Sequence, residues 1–74
     1  MARKPQKPQL NSVLRIARLE KGWTLQRLAD TIGVTGAAIA HWEAGKNRPR
    51  AAHLTAVCKA LKLPLKQTRE LAEQ

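Results

Sequence analysis

The chain has 74 residues, with 14 lysines and arginines against five acids for a net charge of +9, one cysteine, two tryptophans and no tyrosine or phenylalanine. That length allows one domain at most and leaves no room for a deep substrate cleft beside a core. The lone Cys58 excludes an internal disulfide and suits a reducing compartment, while no apolar run approaches the ~20 residues of a membrane span or follows the basic N-terminus as a signal peptide would require.

Residues 1–9 read as a flexible basic arm. Pro5 and Pro8 block a helix, and Arg3, Lys4 and Lys7 carry charge without apolar cover. A first helix is expected over Asn11–Lys21, with Leu10, Leu14 and Ala17 at helical spacing and Gly22 as its stop. A second is expected over Leu25–Ile32, with Thr24 as N-cap, an apolar face of Leu28, Ala29 and Ile32, and Gly33 at its end. A third follows over Gly36–Ala44, capped by Thr35 and stopped by Gly45, with Ile39 and Trp42 inward. After a basic loop, Lys46–Arg50, a fourth helix runs Ala51–Leu61 with Leu54, Val57, Cys58 and Leu61 on one face. The fifth starts near Pro64, a residue suited to the first helical position, and carries Leu65 and Leu71. Residues 10–74 thus form an all-α, compact five-helix domain. Val13, Ile16 and Leu19 lie beyond the obvious core face of the first helix. They and the leucines of the fifth either complete a small core, the simpler reading, or offer a dimer contact.

The charge is unevenly placed. Between Thr31 and Arg69 the only acid is Glu43, whereas Lys46, Arg48, Arg50, Lys59, Lys62 and Lys66 all fall there. A stretch so free of negative charge can approach phosphates without repulsion, so the expected partner is a polyanion, nucleic acid before anionic membrane. With only Trp23 and Trp42 as aromatics, base-stacking platforms of the single-strand or RNA-binding kind are scarce. His41 and His53 have no Cys or Asp at nucleophilic or metal-ligand spacing, and no glycine-rich phosphate loop occurs. No enzyme, no metal and no cofactor is expected.

The segment Thr24–Gly45 places two short helices about a tight turn at Gly33, the arrangement of a helix-turn-helix. Ala29 is small where the helices cross, Gly33 can take a positive φ, and Val34 and Ile39 anchor the turn and the third helix. The string WTLQRLADTIGVTGAAIAHWEAGKNRPR resembles the Cro/CI-type helix-turn-helix family of phage and bacterial repressors. Gly22, Thr24, Leu28, Ala29, Ile32, Gly33, Val34, Thr35, Ile39, Trp42, Glu43, Gly45 and Pro49 fit its pattern, and the likeness runs from Leu10 to about Leu71.

The resemblance implies a lambda-repressor-like fold and a bacterial cytoplasmic or nucleoid transcriptional regulator. It would be a small repressor, binding a (pseudo)palindromic double-stranded DNA operator as a homodimer with the helix over 36–44 in the major groove. It implies a structural ion pair between Arg18 and Glu43. It implies base reading from Gly36, Ala37, Ala40 and His41, with Ala38 also outward. Phosphate or minor-groove contacts are implied for Gln26, Arg27, Thr35, Lys46, Asn47, Arg48 and Arg50, with loop backbone amides assisting. Two departures stand out. Only His41 offers a polar side chain that can reach a base edge from the reading helix, and Leu25 occupies a position where many members carry a phosphate-gripping Gln. An antitoxin-type autorepressor that also binds a protein partner shares this fold and is the alternative.

Overall fold

The computed structural model describes residues 9–73, and among them five helices and no strand occur. They are α1 (Leu10–Glu20), α2 (Leu25–Ile32), α3 (Gly36–Glu43), α4 (Ala51–Leu61) and α5 (Leu65–Ala72). The arm expected over residues 1–9 lies, except for Gln9, outside the described residues.

Local chemistry sets these boundaries. The Thr24 hydroxyl accepts from the Arg27 amide at 3.0 Å and the Thr35 hydroxyl from the Ala38 amide at 3.1 Å, each satisfying a donor that the first turn of a helix leaves open. Gly33 closes α2 with φ +80°, and the amides of Gly33 and Val34 both return to the Ala29 carbonyl. A side chain at that φ would crowd the backbone, so glycine sets how tightly α2 can turn into α3. Lys62 takes a left-handed conformation, φ 56°, at the end of α4 without the freedom of glycine. There the Leu63 amide reaches back to Cys58 at 2.8 Å.

Four expected boundaries move by a residue. Leu10 already belongs to α1, which ends at Glu20 with Lys21 as its cap. Ala44 caps α3 rather than belonging to it. Pro64 is the N-cap of α5 and not its first residue: its ψ of 117° is extended, while its carbonyl accepts from the Thr68 amide at 3.0 Å.

The helices enclose one core of Leu10, Leu14, Leu28, Ala29, Ile39, Trp42, Leu54, Val57, Cys58 and Leu61. Ala29 is fully buried, which lets α2 and α3 pack closely. α2 also packs on α4, α4 on α5, and α1 on α3 and α5. Leu65 and Leu71 pack against the core, as the simpler sequence reading has it. Ile16 and Leu19 do not complete it. They stay 57% and 53% exposed, because α1 turns the stripe of Leu10, Leu14, Ala17 and Arg18 inward and their spacing puts them on its outer side. Thr68, which sequence reading passed over, is buried with its hydroxyl donating to the Pro64 carbonyl at 2.7 Å.

Candidate nucleic-acid interface

The turn Gly33–Thr35 delivers α3 with its Ile39–Trp42 side in the core and its other side outward. Ala37 and His41 are exposed one helical turn apart and define the outer strip of α3, with Gly36 and Ala40 half-buried at its edges. Ala38 departs from the expectation of exposure. It is half-buried and packs against the core. The strip is nearly bare chemically: one imidazole, two methyl groups and the backbone at Gly36.

α2 overhangs the start of this strip. Gln26 Nε2 donates to Asp30 Oδ1 at 2.7 Å, and Gln26 Oε1 sits 3.2 Å from where a Cβ on Gly36 would lie. Gln26 and Thr35, expected on phosphate, thus stand beside the N-terminus of α3. The Thr35 oxygen accepts the helix-capping bond and leaves the hydroxyl proton available to donate.

Beyond α3 the loop exposes Lys46, Asn47 and Arg50, while Pro49 is buried and holds the loop against the body. Arg50 is also the N-cap of α4, its carbonyl accepting from Leu54 at 2.8 Å. The loop backbone differs from expectation, and Arg48 makes a contact within the fold that the sequence did not show. The amides of Lys46 and Asn47 donate back to the His41 carbonyl at 3.0 and 3.5 Å, closing the end of α3 instead of facing outward. Arg48 turns to α5, where Nη1 donates to the Ala72 carbonyl at 2.7 Å. A carbonyl left open at a helix end attracts a guanidinium strongly, and the fold brings this one within reach.

Arg18 and Glu43 meet as expected. Nε donates to Oε2 at 2.7 Å and Nη2 to Oε1 at 3.0 Å, a forked pair whose side chains are 9% and 8% exposed. Nη1 donates to the Trp23 carbonyl. The hydrogen bonds to Glu43 push the guanidinium above its already high ordinary value; burial opposes the shift and charge attraction adds to it. The pair ties α1 to the end of α3 and so fixes the tilt at which the outer strip is presented.

Sequence reading missed the surroundings of Trp23. Lys21 Nζ lies 4.9 Å and Arg27 Cζ 5.0 Å from the centre of its ring. The signal was present as three residues spaced two and four apart, but nothing in the string says that both cations meet one ring. Trp42 is in the core as expected, with the His53 ring 5.6 Å away and tilted by 37°.

A capped pair of helices about a positive-φ glycine, the second helix with its outer strip open and a basic loop at its end, defines a DNA-binding domain of helix-turn-helix class. The chain matches the helix-turn-helix family over residues 14–67 and belongs to that family, in its Cro/CI type. It is 38% identical over 56 residues to the transcriptional regulator ClgR of Mycobacterium tuberculosis, covering 76% of this chain and 50% of that protein. The chain therefore spans about half the length of the curated relatives it matches. Its fold is similar to that of ClgR from Corynebacterium glutamicum, with TM-score 0.75, 30% identity and coverage of 86% of this chain and 68% of that one. It also superposes on the P22 c2 repressor, solved in complex with synthetic operator 9T, with TM-score 0.79 at 24% identity, covering 84% and 94%. Among the described residues no helix is long and apolar enough to cross a membrane.

Proposed function

We propose that this domain is a sequence-specific double-stranded-DNA-binding transcriptional regulator. It acts as a small repressor at the bacterial nucleoid, on a (pseudo)palindromic operator and as a homodimer. Its role is binding, without catalysis. The observation that carries the reading is the open strip of α3, with Ala37 and His41 outward and the loop cations at its end. An α-helix presented in this way fits a major groove. The likeness to ClgR and to an operator-bound repressor supports the same reading.

In this reading His41 reads a base edge, and Gly36, Ala37 and Ala40 allow close approach and touch thymine methyls. Gln26, Arg27, Thr35, Lys46, Asn47, Arg48 and Arg50 take the phosphates or, for Arg50, the minor groove. Arg48 also donates to the Ala72 carbonyl of α5, which ties the loop to that helix. So few base-reading groups leave part of the discrimination to DNA shape. Selection of bound sites from random duplex DNA tests the whole reading. A symmetric enriched site with two half-sites is expected. No enriched site, together with equal affinity for duplex, single strand and anionic vesicles, refutes it.

A further inference from the structure

Trp23 stands in the turn between α1 and α2, and its backbone is fixed on both sides. Its amide donates to the Arg18 carbonyl at 3.1 Å, and its own carbonyl accepts from the Arg18 guanidinium at 2.6 Å. The side chain is half-buried against the core, so the ring is a rigid platform with part of its surface open. Two exposed cations converge on it: Lys21 from the cap of α1, 4.9 Å from the ring centre, and Arg27 from the first turn of α2, at 5.0 Å. The Arg27 backbone is itself held by the Thr24 cap.

Neither cation has a carboxylate partner among the described residues. Asp30, the acid nearest to Arg27 along α2, accepts from Gln26. Like charges gathered in this way repel each other, and the electron-rich face of an indole is the one neutral group here that attracts both. The fold gains no ion pair from the cluster. What it creates is a pair of long, otherwise mobile cations held ready on a rigid base, at the α2 end of the helix-turn-helix. A doubly cationic site of this kind has its complement in the phosphodiester backbone of a duplex.

We infer that Trp23 is a positioning residue for DNA binding, its ring gathering Lys21 and Arg27 into a paired grip on the phosphate backbone. This rests on the duplex-binding reading above and adds Lys21 and Trp23 to it. The ring works by lowering the freedom that the two side chains would lose on meeting phosphate.

The test uses the full chain and a random-sequence DNA duplex, with affinity measured across a salt series. Lys21→Ala and Arg27→Ala each lower the slope of log affinity against log salt by about one. Trp23→Leu, which keeps apolar packing but has no ring, weakens binding about tenfold, while Trp23→Phe, which keeps a cation-attracting face, stays within about twofold of wild type. In a Lys21→Ala/Arg27→Ala background, whose two changes are on the surface and leave the core intact, Trp23→Leu has no further effect on binding. The inference is overturned by equal losses for Leu and Phe at position 23. It is overturned equally by a full loss from Trp23→Leu in the doubly substituted background, or by an unchanged slope in that background. If that slope is unchanged while Arg50→Ala lowers it, the duplex reading stands and only the Trp23 grip fails. If wild type shows no salt-dependent duplex binding, both fall.

Discussion

Glu43→Leu removes the carboxylate from a forked pair whose side chains are 9% and 8% exposed. The Arg18 guanidinium then keeps one partner, the Trp23 carbonyl, and loses two bonds of 2.7 and 3.0 Å. Breaking one side of a fully buried pair costs about 3–5 kcal/mol. Here the surviving carbonyl bond and nearby water reduce that to about 2 kcal/mol. A domain of this size has about 4–11 kcal/mol in total, so the loss is a large share. At about 4–8 °C per kcal/mol, Tm falls by about 10 °C.

The decisive comparison is the double variant Arg18→Met/Glu43→Leu, in which no charge is left buried. It should return to within about 1 kcal/mol of wild type, since apolar replacement of a whole pair is commonly near neutral. Urea denaturation of the four proteins gives the coupling. Strictly additive losses would refute the claim that the pair acts as a unit. The pH dependence has a definite sign. The Arg18 pKa is raised, so its linked stability is complete below the unfolded value and fades only as pH climbs through the folded one. The wild-type margin over Arg18→Met/Glu43→Leu, which leaves no stranded carboxylate, should therefore stay flat between about pH 7 and about pH 10.

Gly33→Ala should cost about 1–2 kcal/mol through left-handed backbone strain alone, because nothing lies within 4 Å of the added Cβ; Gly33→Asn should cost less, and thermal melts compare the two. Thr35→Ala should lose about 1 kcal/mol of stability with the cap to Ala38, and Thr35→Ser should recover it. On DNA, His41→Ala should flatten discrimination among operator variants by about 1 kcal/mol while leaving the salt slope intact. Arg50→Ala should weaken all duplexes alike and lower the slope by about one, read from binding across a salt series.

Much of the scaffold is legible along the chain because its causes are local. A threonine hydroxyl reaches the amide three residues on, and a glycine takes the positive φ that ends α2, so Thr24, Gly33 and Thr35 mark the motif without tertiary information. The apolar stripe of α4 is readable for a similar reason, since its periodicity leaves one inward face. In α1 hydropathy misleads. Arg18 is buried while Ile16 and Leu19 are exposed, because the helix orients to pack Leu10 and Leu14 and the guanidinium finds Glu43 on that side. The Arg18–Glu43 pairing was visible only through family resemblance, its partners being 25 residues apart.

The string alone places the five helices to within a residue at each end, and shows that α3 offers few groups to a base and that the chain is strongly cationic. Packing determines what each cation meets within the fold. Arg18 is engaged with Glu43 and Arg48 with a carbonyl 24 residues away, while Lys21 and Arg27 are drawn to one indole ring. The physical reason is reach. A helix boundary is set by atoms within one turn of backbone, whereas a lysine or arginine pairs with whatever acid, carbonyl or ring the folded chain brings within several ångströms.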